Sequence, residues 1–271
     1  MSKVGLLAGV GTLPVEFIRA ARAHGDQVIC IAVIPGTDPR LTEADVFYEI
    51  HVGKLNKIMK TLAAENVQEV TMLGKVTKEW LFKGLHLPDM RAIKLLASLK
   101  DRKDDTIMLA LVEELRKEGI AVLDQTQYLK PLMPPAGVLT RQRPTAEEEK
   151  DIAFGFEAAK RIGGMDLGQT VVVKHLAVMA VEAIEGTDAC IRRGGALARG
   201  GAVVVKTAKP GQDSRFDVPA VGMDTLKAME ESGCRVLAVE AERTILAEKE
   251  ELLKEADRRH IVIAAVERDH D

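Results

Sequence analysis

Short runs of β-branched residues alternate with amphipathic stretches through the first 123 residues, and this alternation constrains the fold more than any other feature. Apolar runs at 4–8, 27–34, 69–73 and 120–123 read as strands, and the stretches at 13–24, 55–65, 91–99 and 106–118 carry helical periodicity. Strand and helix in regular succession predict βαβ units around a mainly parallel sheet. The expected fold class is therefore α/β, with a Rossmann-like first domain.

Three prolines and a glycine in the eight residues 130–137 interrupt the pattern, because neither a helix nor a central strand tolerates that composition. The expected domains are 1–132 and 138–271. Thr145, followed by Glu147, Glu148 and Glu149, opens a helix expected to end near Gly163-Gly164. Runs at 169–174 and 176–181 follow with almost no spacer, which predicts a hairpin and makes the second sheet mixed. Further strands are expected at 202–206, 235–239 and 261–266, and helices near 188–198, 224–231 and 248–259.

A formal charge of −3 on 271 residues excludes the bulk electrostatics of a nucleic-acid binder, so any anion must be met locally. Cys30, Cys190 and Cys234 have no metal-ligand spacing and read as thiols in a reducing compartment. With no apolar stretch approaching the roughly 20 residues of a membrane span, the expected location is the cytoplasm.

The first strand runs into Gly9-Val10-Gly11-Thr12-Leu13-Pro14, half of a dinucleotide fingerprint. A proline replaces the third glycine, and the second strand ends without an acidic ribose ligand. An NAD-linked oxidoreductase and a non-catalytic nucleotide-sensing module are the alternatives this loop leaves open. His51 and His175 stand at strand ends with no metal-ligand partner in sequence and read as structural.

Two loops of the second half are the candidates to carry the chemistry; the first also reads as a helix cap at Thr187 and Asp188 with a solvated Glu185, and the second as a salt-bridged surface loop. Val181-Glu182-Ala183-Ile184-Glu185-Gly186-Thr187-Asp188 ends an apolar strand with three carboxylates. Lys209-Pro210-Gly211-Gln212-Asp213-Ser214-Arg215-Phe216-Asp217 offers cations for phosphate oxygens and carboxylates for a divalent metal or a water. Hard oxygen ligands of this kind suit Mg²⁺ or Mn²⁺.

In these two segments, and in Leu7-Ala8 leading into the glycine loop, the chain resembles the UDP-2,3-diacylglucosamine pyrophosphatases of the LpxI type over its whole length. The resemblance implies two domains with an active site in the cleft between them. It further implies a divalent metal and hydrolysis of UDP-2,3-diacylglucosamine to UMP and 2,3-diacylglucosamine 1-phosphate by attack of water at the sugar-side phosphorus, a step of lipid A biosynthesis. Carried over by position, it makes Asp217 the leading catalytic residue and places Asp188 and Asp213 in the same site. Lys209 and Arg215 would neutralise the diphosphate and Gln212 would position an oxygen, with Asp217, Asp213 and Glu185 as candidate metal ligands. The first domain would act as lid and nucleotide subsite through Gly9, Gly11, Thr12, Leu13, Gly74 and Lys75. Asp104-Asp105-Thr106 also resembles a family pattern, and reads equally as a helix cap.

Between Lys75 and Lys103, eight basic residues against three acids are interleaved with Trp80, Leu81, Phe82, Leu85, Leu87, Met90, Leu95 and Leu96. This suits an acyl-chain channel or a contact with an anionic inner-membrane surface, and equally a core-packed helix with a solvated basic face. The expected partner is thus a UDP-linked diacylglucosamine lipid, with no nucleic acid; a peripheral membrane contact and a homodimer are compatible with it.

Overall fold

The computed structural model describes residues 2–76, 87–101 and 103–267. The chain divides into two compact units: Met1–Leu129 together with Ser214–Phe216, and Lys130–Asp213 together with Asp217–Asp271. Trp80, Leu81, Phe82 and Leu85 of the basic, apolar segment lie outside the described residues.

The first unit holds five parallel strands in the order β3-β2-β1-β4-β5. They are β1 (Lys3–Ala8), β2 (Gln27–Ala32), β3 (Val46–Glu49), β4 (Glu69–Leu73) and β5 (Ala121–Val122). Strand order reverses between β1 and β4, the topological switch point of a Rossmann-like sheet. Helices α1 (Leu13–His24), α2 (Leu55–Ala64), α3 (Met90–Ala97), α4 (Asp104–Lys117) and α5 (Thr126–Leu129) complete it. Leu7, Ile29, Ile31, Val70 and Met72 of the sheet pack with Leu55, Ile58, Met59 and Leu62 of α2 and Leu115 of α4 in one core.

Helix ends are fixed by local chemistry. Asp89 accepts from the amides of Arg91 and Ala92 at the start of α3, and its second oxygen accepts from Asn56 N in the first turn of α2. Arg91 then bridges Glu114 on α4 and Glu118 at its C-cap. The 104–106 segment opens α4, but its N-cap position is Lys103, not an acid, and Thr106 Oγ1 donates to Asp101.

The second unit is built on a six-stranded mixed sheet in the order β6-β13-β11-β9-β7-β8. These strands are β6 (Gly137–Val138), β7 (Thr170–Lys174), β8 (Ala177–Val181), β9 (Val203–Lys206), β11 (Val236–Glu240) and β13 (Val262–Val266). The β7–β8 pair is the expected hairpin, antiparallel and turned through His175 and Leu176 at positive φ. Alternate residues of each strand enter opposite cores. Val171, Val173, Val203, Val205, Val236 and Ala238 face one, with Ile152 and Ala159 of α6 (Ala146–Gly164). Val172, Val204, Leu237 and Val239 face the other, with side chains of α7 (Thr187–Ala198), α8 (Met223–Ser232) and α9 (Lys249–Arg258). Burial on both faces is why these strands read as unbroken apolar runs. α6 starts with a capping box between Thr145 and Glu148, and β10 (Ala220–Val221) pairs with β12 (Ile245–Leu246) in a separate ribbon. Among the described residues, no helix is long and apolar enough to cross a membrane.

Candidate active site

Strand direction brings the two loops of the second half together. β8, β9 and β11 point the same way and β7 runs against them, so Thr170 at the start of β7 lies opposite Lys206 at the end of β9. Glu182, just past β8, donates its amide to Thr170 O. The 182–188 segment, the 206–213 segment and Gln169 therefore meet at one end of the sheet.

Side chains tie this cluster together. Thr187 Oγ1 donates to Glu182 Oε1 at 2.8 Å, and Lys206 Nζ donates to Thr187 Oγ1 at 3.2 Å and to Ala220 O at 2.8 Å. Glu182 and Lys206 are both buried, where polar groups depend on hydrogen bonds of this kind. Gln212 Nε2 donates to Gln169 Oε1 at 3.4 Å, and Gln212 Oε1 accepts from the Lys209 amide at 2.9 Å. Asp217 N donates to Asp213 O at 3.0 Å, which puts the two aspartates one turn apart on the same loop. Lys209 Nζ lies 3.0 Å from Asp166 Oδ1 and 4.0 Å from Asp217 Oδ2. Asp188 stands half-buried in the first turn of α7.

Of the predicted catalytic set, Asp188, Lys209, Gln212, Asp213 and Asp217 belong to the second unit. Arg215 falls in the Ser214–Phe216 segment, which belongs to the first, where Ser214 O accepts from Gln125 N. Glu185 is turned to Arg193, whose guanidinium it meets at 2.6 Å. Its own backbone amide, then Arg193, hold its carboxyl below the usual carboxylate range.

Among the described residues no three histidine, cysteine, aspartate or glutamate side chains form a preassembled metal cluster. Asp213 and Asp217 nonetheless suit Mg²⁺ or Mn²⁺ chemically, since Mg²⁺ is commonly held by one or two carboxylates, with substrate phosphate and water completing the shell.

Sequence reasoning missed the groups that support the loop. Glu240, at the end of β11, accepts from the Ala208 amide at 2.8 Å and from Lys160 Nζ, while Lys160 Nζ also donates to Ala208 O at 2.8 Å. The available signal was a charged residue closing an all-apolar strand, as Lys206 closes β9 and Glu240 closes β11.

In the first unit the glycine loop is paired to the end of β4. Gly9 N donates to Leu73 O, and Val10 and Lys75 exchange both backbone hydrogen bonds. A Cβ on Gly9 would lie 2.6 Å from Lys75 O, and one on Gly74 would lie 2.7 Å from Gly9 C. These two glycines are thus required by the close approach of two backbones. Gly11, Thr12 and Leu13 stand beyond the bridge, where α1 begins.

Comparison with known proteins decides the family. The family models of the LpxI N-terminal domain and the LpxI C-terminal domain match residues 3–132 and 135–264. The chain belongs to the LpxI family. A curated LpxI relative, the UDP-2,3-diacylglucosamine pyrophosphatase LpxI of Caulobacter vibrioides, is 34% identical, with 95% of each chain covered. Among solved structures, the UDP-glucose 4-epimerase of Thermotoga maritima aligns with TM-score 0.30 and 12% identity, over 54% of this chain and 42% of that one. A glycinamide-RNase-transformylase T from Mycobacterium tuberculosis aligns with TM-score 0.26 and 15% identity, over 50% of this chain and 37% of that one. Likenesses this low add nothing to what LpxI membership establishes.

Proposed function

We propose that this chain hydrolyses the diphosphate of UDP-2,3-diacylglucosamine to UMP and 2,3-diacylglucosamine 1-phosphate, using Mg²⁺ or Mn²⁺ and the groups of the 206–217 segment. Support comes from LpxI membership and from one observation: the two motif loops converge at one end of the second sheet, linked through Glu182, Thr187 and Lys206.

In this reading water attacks the sugar-side phosphorus. The new P–O bond forms as the bond from that phosphorus to the bridging oxygen breaks, and UMP leaves with the bridging oxygen. Asp217 orients the water and takes its proton, as a half-exposed carboxylate on a loop held by its turn to Asp213. Lys209, beside Asp217, sets a positive charge where phosphate oxygens arrive. Gln212, whose side-chain oxygen is engaged by the Lys209 amide, fixes the turn and presents its amide group to Gln169 and the incoming phosphate. A divalent ion held by Asp213 and Asp217 would neutralise charge on the diphosphate.

The test is UMP release by the purified protein from UDP-2,3-diacylglucosamine, with and without Mg²⁺ or Mn²⁺, beside Asp217→Ala. The expected result is metal-dependent release, reduced by about 10²- to 10⁴-fold in the variant. No release under any metal condition overturns the function, and undiminished release by Asp217→Ala overturns the residue assignment.

A further inference from the structure

β8 is the last strand of the second sheet, so one of its edges has no neighbouring strand. Ala177-Val178-Met179-Ala180-Val181 carries no charge and no proline, the residues with which exposed edges are ordinarily blunted. Its blunting is slight: the pairing with β7 shifts register between Val172 and Val173, and the guanidinium of Arg193 donates to Val181 O.

The apolar side chains left in solvent gather around this edge. Among the described residues of the second unit, the exposed large hydrophobics are Phe154, Met165, Leu167, Leu176, Val178, Ile184 and Leu197. Leu176 and Val178 belong to the β7–β8 hairpin itself. Asp151 on α6 accepts from the amides of His175 and Leu176, so the row of α6 that continues through Phe154 to Met165 runs beside the hairpin. On the opposite face of the sheet Arg193 of α7 reaches Val181, and Leu197 lies one turn further along the same row. Gly168 lies against the carbonyl of Glu182, which sets Leu167 and Ile184 at one end of the strand. Single exposed hydrophobics are ordinary, but a concentration of this kind marks an interaction surface. Together these side chains expose on the order of 700 Å², close to the roughly 800 Å² that each partner gives to a standard interface.

The charges around the patch decide what covers it. Arg161 pairs with Glu157, Arg193 pairs with Glu185, and Lys174 Nζ donates to the carbonyls of Ala198 and Gly200. A rim neutralised within the chain offers no excess of cations to an anionic bilayer. It also sets no like charges against a copy of itself. A strand edge is moreover its own complement: turned through a two-fold axis normal to the sheet, β8 runs antiparallel to β8 of a second copy, with α6 beside α6 and α7 beside α7.

We infer that the β8 edge is the interface between two copies of this chain, in which the two six-stranded sheets meet edge to edge and Phe154, Val178 and Leu197 of each copy are covered by the other. The interface belongs to the second unit alone and stands whether or not the proposed reaction is the right one.

Sedimentation equilibrium of the full chain, from nanomolar to micromolar concentration, compares the wild type with Val178→Lys, with Leu197→Glu and, as a control on the first unit, with Leu109→Glu. All three positions are exposed, and a cooperative melt checks that each variant folds. Expected is a species of twice the chain mass for the wild type and the control, with the dissociation constant raised at least about ten-fold in each folded edge variant, as a charge meets the apolar surface of the other copy. A wild type that is monomeric over the whole range overturns the inference, as does a dimer that neither folded edge variant weakens. Flotation with phosphatidylglycerol vesicles is measured in parallel. A monomer that floats, and that Val178→Lys releases, gives the patch to lipid and overturns the inference as well.

Discussion

Glu240 and Lys160 grip the backbone of a single residue, Ala208, through the two peptide groups that flank its Cα: the carboxylate accepts its N–H and the ammonium donates to its C=O. The two side chains also pair with each other. Ala208 directly precedes Lys209, so the segment that carries the proposed chemistry is anchored where it leaves β9.

Removing either charge leaves the other in a poorly solvated place. Glu240→Gln or Lys160→Met is expected to cost about 3 kcal/mol of stability, read from urea unfolding. Because Lys209 is set through its neighbour, turnover per folded molecule should fall as well, with Lys160→Arg recovering more of it than Lys160→Met.

Thr187 links Glu182 to Lys206 through one hydroxyl. Replacing that hydroxyl with a methyl removes both bonds, so Thr187→Val should lose about 1–3 kcal/mol. It should also lower kcat by roughly 10- to 10²-fold through misplacement of the loop, whereas Thr187→Ser should keep most of both. A kcat unchanged in Thr187→Val would show that this network does not support the reaction.

Gly74→Ala meets two obstacles at once: a backbone φ of 90°, and a Cβ 2.7 Å from Gly9 C. Left-handed strain costs about 1–3 kcal/mol and overlap in a packed region adds about 1–3 kcal/mol. Gly11→Ala, at φ 121° with no atom within 4 Å of the added carbon, isolates the backbone contribution. Thermal melting should therefore rank Gly74→Ala below Gly11→Ala.

Asp26 accepts from Ser2 Oγ and N, from Tyr128 OH and from the His24 ring. Ser2 first, then His24, hold its carboxyl well below the usual carboxylate range, while burial and Asp26 push the Tyr128 hydroxyl up to about 12. A folded-state pKa below the unfolded one gives stability that is fully present above the ordinary carboxylate value of about 4. It is lost as pH falls through the folded value. The melting temperatures of wild type and Asp26→Asn should thus differ most near neutral pH and converge as the solution is acidified below about pH 4.

Much of this arrangement is legible in the sequence, for local reasons. Strands buried on both faces announce themselves as runs such as Val203-Val204-Val205, and the hairpin at His175 follows from two runs with no room for a crossover. The two acid-bearing loops are recognisable because strand ends in α/β folds gather ligands. β3 is hidden: Val46–Glu49 is an edge strand of four residues, only partly buried and without alternation. The short pairs β6, β10 and β12 have two residues each and leave no periodicity to read. Glu240 holding Ala208 joins positions 32 apart, and Phe216 joining the first unit joins parts farther apart still. Contacts of that range come from tertiary packing, which no local pattern encodes.

The return of Ser214–Phe216 to the first unit has a consequence for how this protein can be dissected or recombined. A fragment stopped at residue 132 would carry all five strands of the first sheet, yet its core would lack Phe216 and Gln125 would lose the carbonyl of Ser214. The complementary fragment would hold three residues with no home. Exchanging halves between homologues therefore carries part of the first unit's core away with the second half, so no single cut between residues 129 and 138 leaves both units whole.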